Sequence, residues 1–369
     1  MGKYSLDNYE IYKTRKIRPL FKAPPANSGR GQINYITCSW ADLEPKRGCY
    51  RLEPLLDQIA KTFNPVLVIK PDYPEWVTDY PEECFAVLIR KAGSYLGEKD
   101  NSLTGVIISA TGNNPVEWKA YMEGFQAITL FAELHNYELI RFLKDKNREF
   151  GLRISCGEEN WISCCEALAE QGLQNNWQKN PVLLQVLDPV CGIQVQRQAQ
   201  SWHCGLSNQN LDLGFQITLR RLTYPEKVSS MGVLPARFWF VNTGSAPCYS
   251  DLSIKLKLVR GDKTFLIPVP DSPSWHVGDI IHNKIIQLPA LLEGSYSLSA
   301  GLFYKQKFPV YMGIDTECED GFYQLGELEV DHTGRDHLKN VWEHYYPEGY
   351  YPLEDPAAPE VVLPTEEGQ

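Results

Sequence analysis

Long apolar segments and clustered positive charge are both missing from the sequence. No stretch approaches the roughly 20 apolar residues that cross a membrane as a helix, and the N-terminal segment lacks the short apolar region of a secretory signal. The formal net charge is -10, and no dense run of Lys and Arg with interleaved aromatic residues occurs. We therefore expect a cytoplasmic protein that has neither a membrane nor a nucleic acid as its partner.

Cysteine pairs with metal-site spacing are missing as well. The ten cysteines include no CxxC pair, and the seven histidines do not lie at metal-ligand spacing from them. Several cysteines instead lie inside apolar runs, as small core residues do. We predict reduced thiols, no metal site and no cofactor.

The chain does contain enough apolar and aromatic residues for a large folded core. Hydrophobic residues make up 43% of the sequence and charged residues 22%, with 9 Trp, 20 Tyr and 14 Phe. These proportions are typical of globular proteins and exclude a disordered chain. Because 369 residues exceed one ordinary domain, two domains are expected unless one of them is a barrel.

Residues 17–212 alternate short apolar runs with helical patterns, which is typical of buried parallel strands joined by helices. The strand candidates are 17–22, 33–40, 66–70, 104–112, 151–157, 181–186 and 201–206. Apolar residues recur with helical spacing over 52–59, 82–96, 117–133, 137–149 and 162–171. This pattern favours an α/β fold with a trimmed (β/α)8-like TIM barrel, shorter than the ~250 residues of a full one. An open doubly wound sheet is the alternative.

The pattern changes near residue 213. From there to 331, apolar and polar residues alternate in short runs separated by turn residues, which predicts an immunoglobulin-like antiparallel β-sandwich. Residues 211–222 fit either the last barrel helix or the first sandwich strand. Residues 1–16 are expected to form an N-terminal extension. Residues 332–369, rich in proline, acids and aromatics, are expected to form a tail that docks on the body or a partner, or stays partly disordered.

Two loops after strand candidates carry a family resemblance. One combines a strand ending in Ser-Trp with a Glu-Pro turn, a glycine and an aromatic residue, and the other is KPDYPEWV at 70–77. Both resemble loops of the clan A glycoside hydrolases, barrel enzymes of the β-galactosidase and cellulase type. The residues of the first loop are Ser39, Trp40, Glu44, Pro45, Gly48 and Tyr50.

The second half of the chain carries a further resemblance. The segments 240–249, 288–304 and 321–330 resemble a bacterial domain of unknown function that follows glycosidase-like barrels. Together the two resemblances cover most of residues 30–330 and imply a glycosidase-like barrel followed by a β-sandwich.

The first resemblance implies hydrolysis by two carboxyl groups at the carboxyl ends of barrel strands. In the family the acid is a Glu that ends the fourth strand, often directly after Asn. This sequence has Asn113 and Asn114 at that point, with Glu117 as the next carboxylate. The family nucleophile is a late Glu, where this sequence has Gln185 followed by Asp188. The expected catalytic pair is therefore degenerate.

Glu158 and Glu159 directly follow the strand candidate at 151–157 and are the best-placed acidic residues. We predict that Glu158 or Glu117 is the catalytic acid. The alternative is that Glu158 caps the following helix and that Glu117 complements the dipole of its own helix.

Tryptophans also follow four of the strand candidates, and aromatic rings stack on the apolar faces of pyranose sugars. Nearby polar side chains can bind sugar hydroxyls, although each ring could instead fill the core and a lone histidine is often only hydrogen-bonded. The predicted binding residues are Trp40, Asp72, Trp76, Asn113, Asn114, Trp161, Gln185, Trp202 and His203.

Three functions are consistent with these residues. The first is a glycoside-hydrolase-like protein that acts on a carbohydrate or glycoconjugate at the carboxyl-end face of the barrel. The second is a noncatalytic carbohydrate-binding pseudoenzyme. The third is a structural or assembly protein that uses the aromatic C-terminal tail.

Overall fold

The computed structural model describes residues 12–16, 32–62, 64–99, 103–157, 159–187, 192–225, 227–249, 252–304, 306 and 308–331. Its first strand, β1 (Tyr12–Lys16), belongs to a sheet formed mainly by the second half of the chain. The next strands are β2 (Asn34–Ser39), β3 (Pro65–Lys70), β4 (Gly105–Ile107), β5 (Leu130–Glu133), β6 (Gly151–Cys156), β7 (Val182–Val186) and β8 (Leu206–Ser207).

Helices connect most of these strands. They are α1 (Trp40–Leu43), α2 (Glu53–Lys61), α3 (Pro81–Lys99), α4 (Pro115–Gly124), α5 (Tyr137–Asp145), α6 (Trp161–Glu170) and α7 (Gly192–Ser201). A short 3-10 helix, Asn176–Gln178, lies between α6 and β7.

Strands β2 to β8 form one seven-stranded parallel sheet in chain order. The sheet curls so that its two edge strands meet, because Gln32 and Ser207 form a parallel bridge and the Ile33 N–H donates to the Ser207 carbonyl oxygen at 2.8 Å. The predicted α/β class is confirmed in this curled form. The described residues do not form an eight-stranded barrel, and the strand candidate at 17–22 lies outside them.

Both faces of this sheet are buried. One set of alternating strand residues packs against the helices, and the other set forms a cluster inside the curl that contains Ile33, Val66, Ile107, Phe131 and Leu183. The Phe131 ring fills space left by two glycines on neighbouring strands. A Cβ atom on Gly105 or Gly151 would lie 2.3 or 2.4 Å from that ring. The interior is therefore filled by side chains on the amino-terminal side, and polar residues follow towards the carboxyl ends.

The helix pattern at 117–133 contains both a helix and a strand. Helix α4 ends at Gly124, where α3 crosses it at close range, since a Cβ on Gly93 would lie 2.4 Å from the Gly124 carbonyl carbon. The chain then turns and forms β5, which the sequence pattern missed. The strand candidate at 201–206 also differs, because α7 continues to Ser201 and the strand begins only at Leu206.

The second half of the chain forms mostly antiparallel strands. They are β9 (Ile217–Pro225), β10 (Lys227–Val228), β11 (Val233–Asn242), β12 (Leu252–Arg260), β13 (Lys263–Pro268), β14 (Gly278–Gln287), β15 (Gly294–Tyr304), β16 (Phe308–Val310), β17 (Cys318–Glu319) and β18 (Phe322–Val330). One sheet has the order β1-β9-β11-β14, and the other contains β10-β18-β15-β12-β13 with β16 and β17. The β10–β18 pair is parallel.

Residues from both of these sheets form one hydrophobic cluster, in which β11, β12 and β15 supply alternating buried side chains. The ambiguous stretch at 211–222 enters strand β9, and β1 from the expected N-terminal extension pairs with it in antiparallel register. The immunoglobulin-like topology of this half stays a prediction, and the C-terminal tail lies outside the described residues. Within the described part of the chain, no helix has the length and apolar character needed to cross a membrane.

Candidate functional site

Four side chains meet inside the curled sheet, towards the carboxyl ends of its strands. Arg153 contacts Glu133 (Nη1 to Oε2, 3.3 Å) and Gln185 (Nη2 to Oε1, 3.3 Å). The Tyr35 ring lies beside the guanidinium, with Arg153 Cζ 5.4 Å from the ring centroid. We call these four residues the polar cluster.

The polar cluster is partly open to solvent and contains one carboxylate. The side chains of Arg153 and Glu133 are 27% and 30% exposed. Glu133 Oε1 also accepts the Ser155 N–H at 3.1 Å, so both of its oxygens are used. Because Gln185 is neutral, the cluster is an ion pair with an amide beside it rather than a pair of acids.

Two polar atoms of this cluster have no hydrogen-bond partner among the described residues. They are the Tyr35 hydroxyl and Arg153 Nε, and both are buried. Burial raises the pKa of Tyr35, although the Arg153 guanidinium opposes the rise, so the phenol is protonated and can donate a hydrogen bond. The cluster therefore offers donors to a bound polar group.

The sequence prediction named Gln185 but missed the other members. Glu133 was missed because β5 was read as part of a helix. Arg153 and Ser155 alternate with the outward-facing Leu152 and Ile154 in β6, so strand alternation alone could have placed them inside.

A second feature of the same edge is the loop after β3. It presents Tyr73 and Tyr80, which are 60% and 74% exposed, together with the half-buried Trp76. Beside it lies a concave pocket of about 520 Å³, which we call the loop pocket. Its lining residues are Arg47, Trp76, Val77, Thr78, Asp79, Tyr80, Glu83 and Cys84.

Contacts with Glu44 and Trp40 fix the position of the Trp76 side chain. Its Nε1 donates to the Glu44 carbonyl oxygen at 2.9 Å, and its ring meets the Trp40 ring edge-on at a centroid distance of 5.9 Å. Trp40 itself is fully buried, packs on Phe85 at 5.2 Å and donates from Nε1 to Glu44 Oε2 at 3.1 Å. Neither face of Trp40 is open to a ligand, so its position supports Trp76 from the core.

The Glu44-Pro45 turn has a structural role. Glu44 Oε1 accepts the Gly48 N–H at 2.8 Å, and Gly48 adopts a positive φ of 76° that favours glycine. Asp72, in the loop that follows β3, has an exposed side chain, while its carbonyl oxygen accepts the Ala41 N–H at 3.1 Å. Together these bonds bring the loops after β2 and β3 side by side.

Glu117 is fully buried in the first turn of α4. Its carboxylate accepts the Thr111 N–H at 2.8 Å and the Thr111 hydroxyl at 2.7 Å. Burial raises the pKa of this carboxyl, and the two bonds from Thr111 oppose that rise. Asn114 caps the same helix through the Val116 N–H, and Asn113 is exposed in the turn. These bonds stabilise the loop between β4 and α4. Because the Glu117 carboxylate is buried and binds Thr111, neither its contacts nor its exposure supports the predicted catalytic role.

The other predicted catalytic residue, Glu158, lies outside the described residues, as does Asp188. The next carboxylate, Glu159, is exposed in the turn before α6. Among the residues that the structure describes, no group of three or more His, Cys, Asp and Glu side chains is placed to hold a metal ion.

Trp161 and Trp202 do not line the loop pocket. Both line a cavity of about 680 Å³ between α6 and α7, against the outward-facing residues Leu184 and Val186 of β7. His203 stacks on Trp177 at a centroid distance of 3.6 Å and contacts the Ser245 carbonyl oxygen through Nδ1 at 2.8 Å. Of the predicted binding residues, the structure therefore brings Asp72 and Trp76 together in one loop and puts Gln185 in the polar cluster.

The sequence matches no family model and no curated protein. Among solved structures, the chain is similar to the CARDB domain of the PF1109 protein from Pyrococcus furiosus, with a TM-score of 0.20, 10% identity and coverage of 33% of this chain and 97% of that chain. It is also similar to beta-glucosidase from Listeria innocua, with a TM-score of 0.20, 10% identity and coverage of 61% of this chain and 45% of that one.

The same beta-glucosidase in complex with glucose gives a TM-score of 0.21 at 10% identity, with 72% of this chain and 45% of that chain covered. The chain therefore spans less than half the length of these enzymes. The similarity to glycoside hydrolases is weak, and at these TM-scores it carries no argument about activity.

Proposed function

We propose that the protein binds a carbohydrate at the carboxyl-end edge of its parallel sheet and does not hydrolyse it. The loop pocket is the observation that supports this proposal best. Large aromatic side chains rarely stay exposed without a function when they are grouped around a concavity. Here Trp76 and Tyr80 line the loop pocket, and Tyr73 is exposed in the same loop.

The chemistry of the loop pocket suits a sugar. The apolar face of a pyranose ring stacks on an aromatic face, and its hydroxyls bind charged or amide side chains. Arg47 supplies donors, and Asp79 and Glu83 supply acceptors, within the wall that contains Trp76 and Tyr80. Because Trp76 is already held by Glu44 and Trp40, little conformational freedom is lost when a ligand binds.

The polar cluster supports binding better than hydrolysis. Hydrolysis of a glycoside uses two carboxyl groups about 5.5 Å apart for retention or about 6.5 to 9.5 Å apart for inversion. The cluster supplies Glu133 alone, and that carboxylate is bound by Arg153 and the Ser155 N–H. We assign the cluster to recognition of a sugar hydroxyl.

Hydrolysis is the second candidate, and one observation favours it. Glu133 ends the fourth strand of the parallel sheet, counted from β2, which is where the resembling family has its acid. In this case Glu158 would have to provide the second carboxyl group.

Substitutions in the loop pocket test the binding proposal. A glycan array probed with the full-length protein identifies an oligosaccharide, and a titration followed by tryptophan fluorescence then gives its Kd. We expect Trp76→Ala and Tyr80→Ala each to weaken binding about tenfold, equivalent to ~1.4 kcal/mol, because each removes a stacking face.

The matched controls are Trp161→Ala and Tyr137→Ala, which remove partly exposed rings elsewhere on the surface. Both should leave the Kd within about twofold of wild type. If no glycan binds, the proposed function is wrong. If only Trp161→Ala weakens binding, the ligand occupies the cavity between α6 and α7 instead.

An assay with chromogenic glycosides separates binding from hydrolysis. We expect no turnover by the wild-type protein. Turnover that disappears in both Glu133→Gln and Glu158→Gln would show that the protein is a hydrolase and that our noncatalytic assignment is incorrect.

A further inference from the structure

Two cysteines lie close together beside the cavity between α6 and α7, and one of them lines it. Cys156 ends strand β6, is half-buried and lines the cavity, while Cys164 lies in the first half of α6 and is fully buried. The Cys156 Sγ lies 3.5 Å from the Gly157 carbonyl oxygen, and the Cys164 Sγ lies 3.8 Å from the Ser155 carbonyl oxygen. Both sulfur atoms therefore lie over the same strand end, and both are free thiols.

The connection between the two cysteines is fixed at both ends. Asn160, directly before α6, accepts the Gly157 N–H at 2.7 Å and donates to the Ser155 carbonyl oxygen at 3.1 Å. This pair of bonds holds the start of the helix against the end of the strand. The two thiols consequently stay close without a covalent link.

The two thiols also differ in character. The neighbouring Cys164 thiol lowers the pKa of Cys156, and the Cys156 thiol together with burial raises the pKa of Cys164. A thiolate is the nucleophilic form of cysteine. Cys156 therefore combines a route to solvent through the cavity with a greater share of thiolate, and Cys164 is sheltered behind it.

We propose that Cys156 and Cys164 are a redox pair that closes to an intramolecular disulfide when the protein meets hydrogen peroxide. In the first step the Cys156 thiolate attacks one peroxide oxygen, the O–O bond breaks, and the hydroxide that leaves takes up a proton to become water. In the second step the Cys164 sulfur attacks the sulfenic acid on Cys156. The S–S bond forms, the S–O bond breaks, and the leaving hydroxide takes the Cys164 proton. Two thiols lose two electrons in total, and one peroxide becomes two waters.

Neighbouring cysteines are less suited to this reaction. Cys165 follows Cys164 but lines a second cavity, where its Sγ lies 3.9 Å from Gln198 Nε2. Cys204 is completely buried, and burial raises the pKa of its thiol. Selective pairing of Cys156 with Cys164 therefore follows from access and from contact.

The test is mass spectrometry of the full-length protein after treatment with hydrogen peroxide. We expect a mass loss of about 2 Da for one disulfide and a cross-linked pair of peptides that contain Cys156 and Cys164. The variant Cys164→Ser should lose the cross-link and accumulate a sulfenic acid on Cys156, which dimedone traps. The variant Cys156→Ser should show neither product.

The matched control is Cys165→Ser, which should form the disulfide as wild type does. A cross-link that survives in Cys164→Ser would show that Cys156 pairs with another cysteine. Oxidation confined to the exposed Cys49 and Cys318, with Cys156 unchanged, would show that the pair is inert. Either result overturns the proposal, and neither depends on whether the protein binds a carbohydrate.

Discussion

At the scale of single residues, Trp40 and Trp76 show what a sequence signal of this kind can and cannot specify. Both follow a strand and both belong to loops of the family resemblance, yet one is fully buried and the other borders a pocket. Ser39 caps α1 through the Asp42 N–H, so the chain turns into a helix at Trp40 and directs its ring into the core. No helix begins directly after β3, and Trp76 lies in a loop instead. This difference decides which ring is buried, and the apolar periodicity of the sequence does not reveal it.

The buried Glu117 should make stability depend on pH. Burial raises the pKa of its carboxyl above the ordinary value of 4.5. A raised folded-state pKa means that the folded protein binds the proton more tightly than the unfolded chain does. The carboxyl's contribution to stability is therefore greatest below pH 4.5 and falls as the pH rises from there through the folded-state pKa.

We expect the unfolding free energy of wild type minus that of Glu117→Gln to decrease over this pH window and then level off. On the acid side the protonated carboxyl, like the Gln amide, accepts with its carbonyl oxygen alone, so the two forms should differ there by less than about 1 kcal/mol, and Glu117→Gln should gain relative stability as the pH rises. Urea denaturation at a series of pH values measures the difference. A difference that grows as the pH rises would show that the sign of the pKa shift is wrong.

At the scale of elements, the long helices and the apolar strands could be predicted because their periods extend over many residues. Helix α3 covers the predicted 82–96, and β3 and β7 match their apolar runs closely. Strand β5 could not be found this way, because it has only 4 residues and follows a helix after a short turn. Glu133, the one acid of the polar cluster, is the last residue of β5, so it was missed together with that strand.

The crossing of α3 and α4 yields a prediction that uses two glycines of one helix. A Cβ at Gly93 would lie 2.4 Å from the backbone of Gly124, whereas a Cβ at Gly97 would meet no atom within 4 Å. Gly93→Ala should therefore lower the free energy of unfolding by about 1–3 kcal/mol, since the helices must move apart.

Gly97→Ala is the matched control, and it should raise the free energy of unfolding by about 0.5–1 kcal/mol because alanine favours the helix. Urea denaturation of both variants measures these changes. Equal stabilities for the two variants would mean that the close helix crossing is absent.

At the scale of the whole molecule, the change of pattern near residue 213 lies between β8, the last strand of the seven-stranded parallel sheet, and β9, the next strand along the chain. The sequence could indicate this change because buried parallel strands and alternating antiparallel strands have different apolar patterns. It could not indicate that β1 pairs with β9, more than 200 residues later in the chain, because pairing partners over such a separation leave no local signal.

His203 connects the two halves of the molecule. It stacks on Trp177 and contacts the Ser245 carbonyl oxygen, in a left-handed conformation with φ 53°. We expect His203→Ala to lower the free energy of unfolding by about 1–3 kcal/mol, because it removes the ring contact and leaves a carbonyl unpaired.

Urea unfolding followed by circular dichroism and tryptophan fluorescence is the measurement, with the exposed His135→Ala as control. The control should stay within about 0.5 kcal/mol of wild type. If both variants unfold like wild type, His203 does not help to hold the halves together.

The central claim is that the carboxyl-end edge of the parallel sheet is a carbohydrate site, and a crystal structure of the protein with its best-binding oligosaccharide tests it most directly. We predict a sugar ring in van der Waals contact with Trp76 or Tyr80 and a hydroxyl hydrogen-bonded to Arg47, Asp79 or Glu83. A sugar bound between α6 and α7, beside Trp161 and Trp202 with the loop pocket empty, would contradict it.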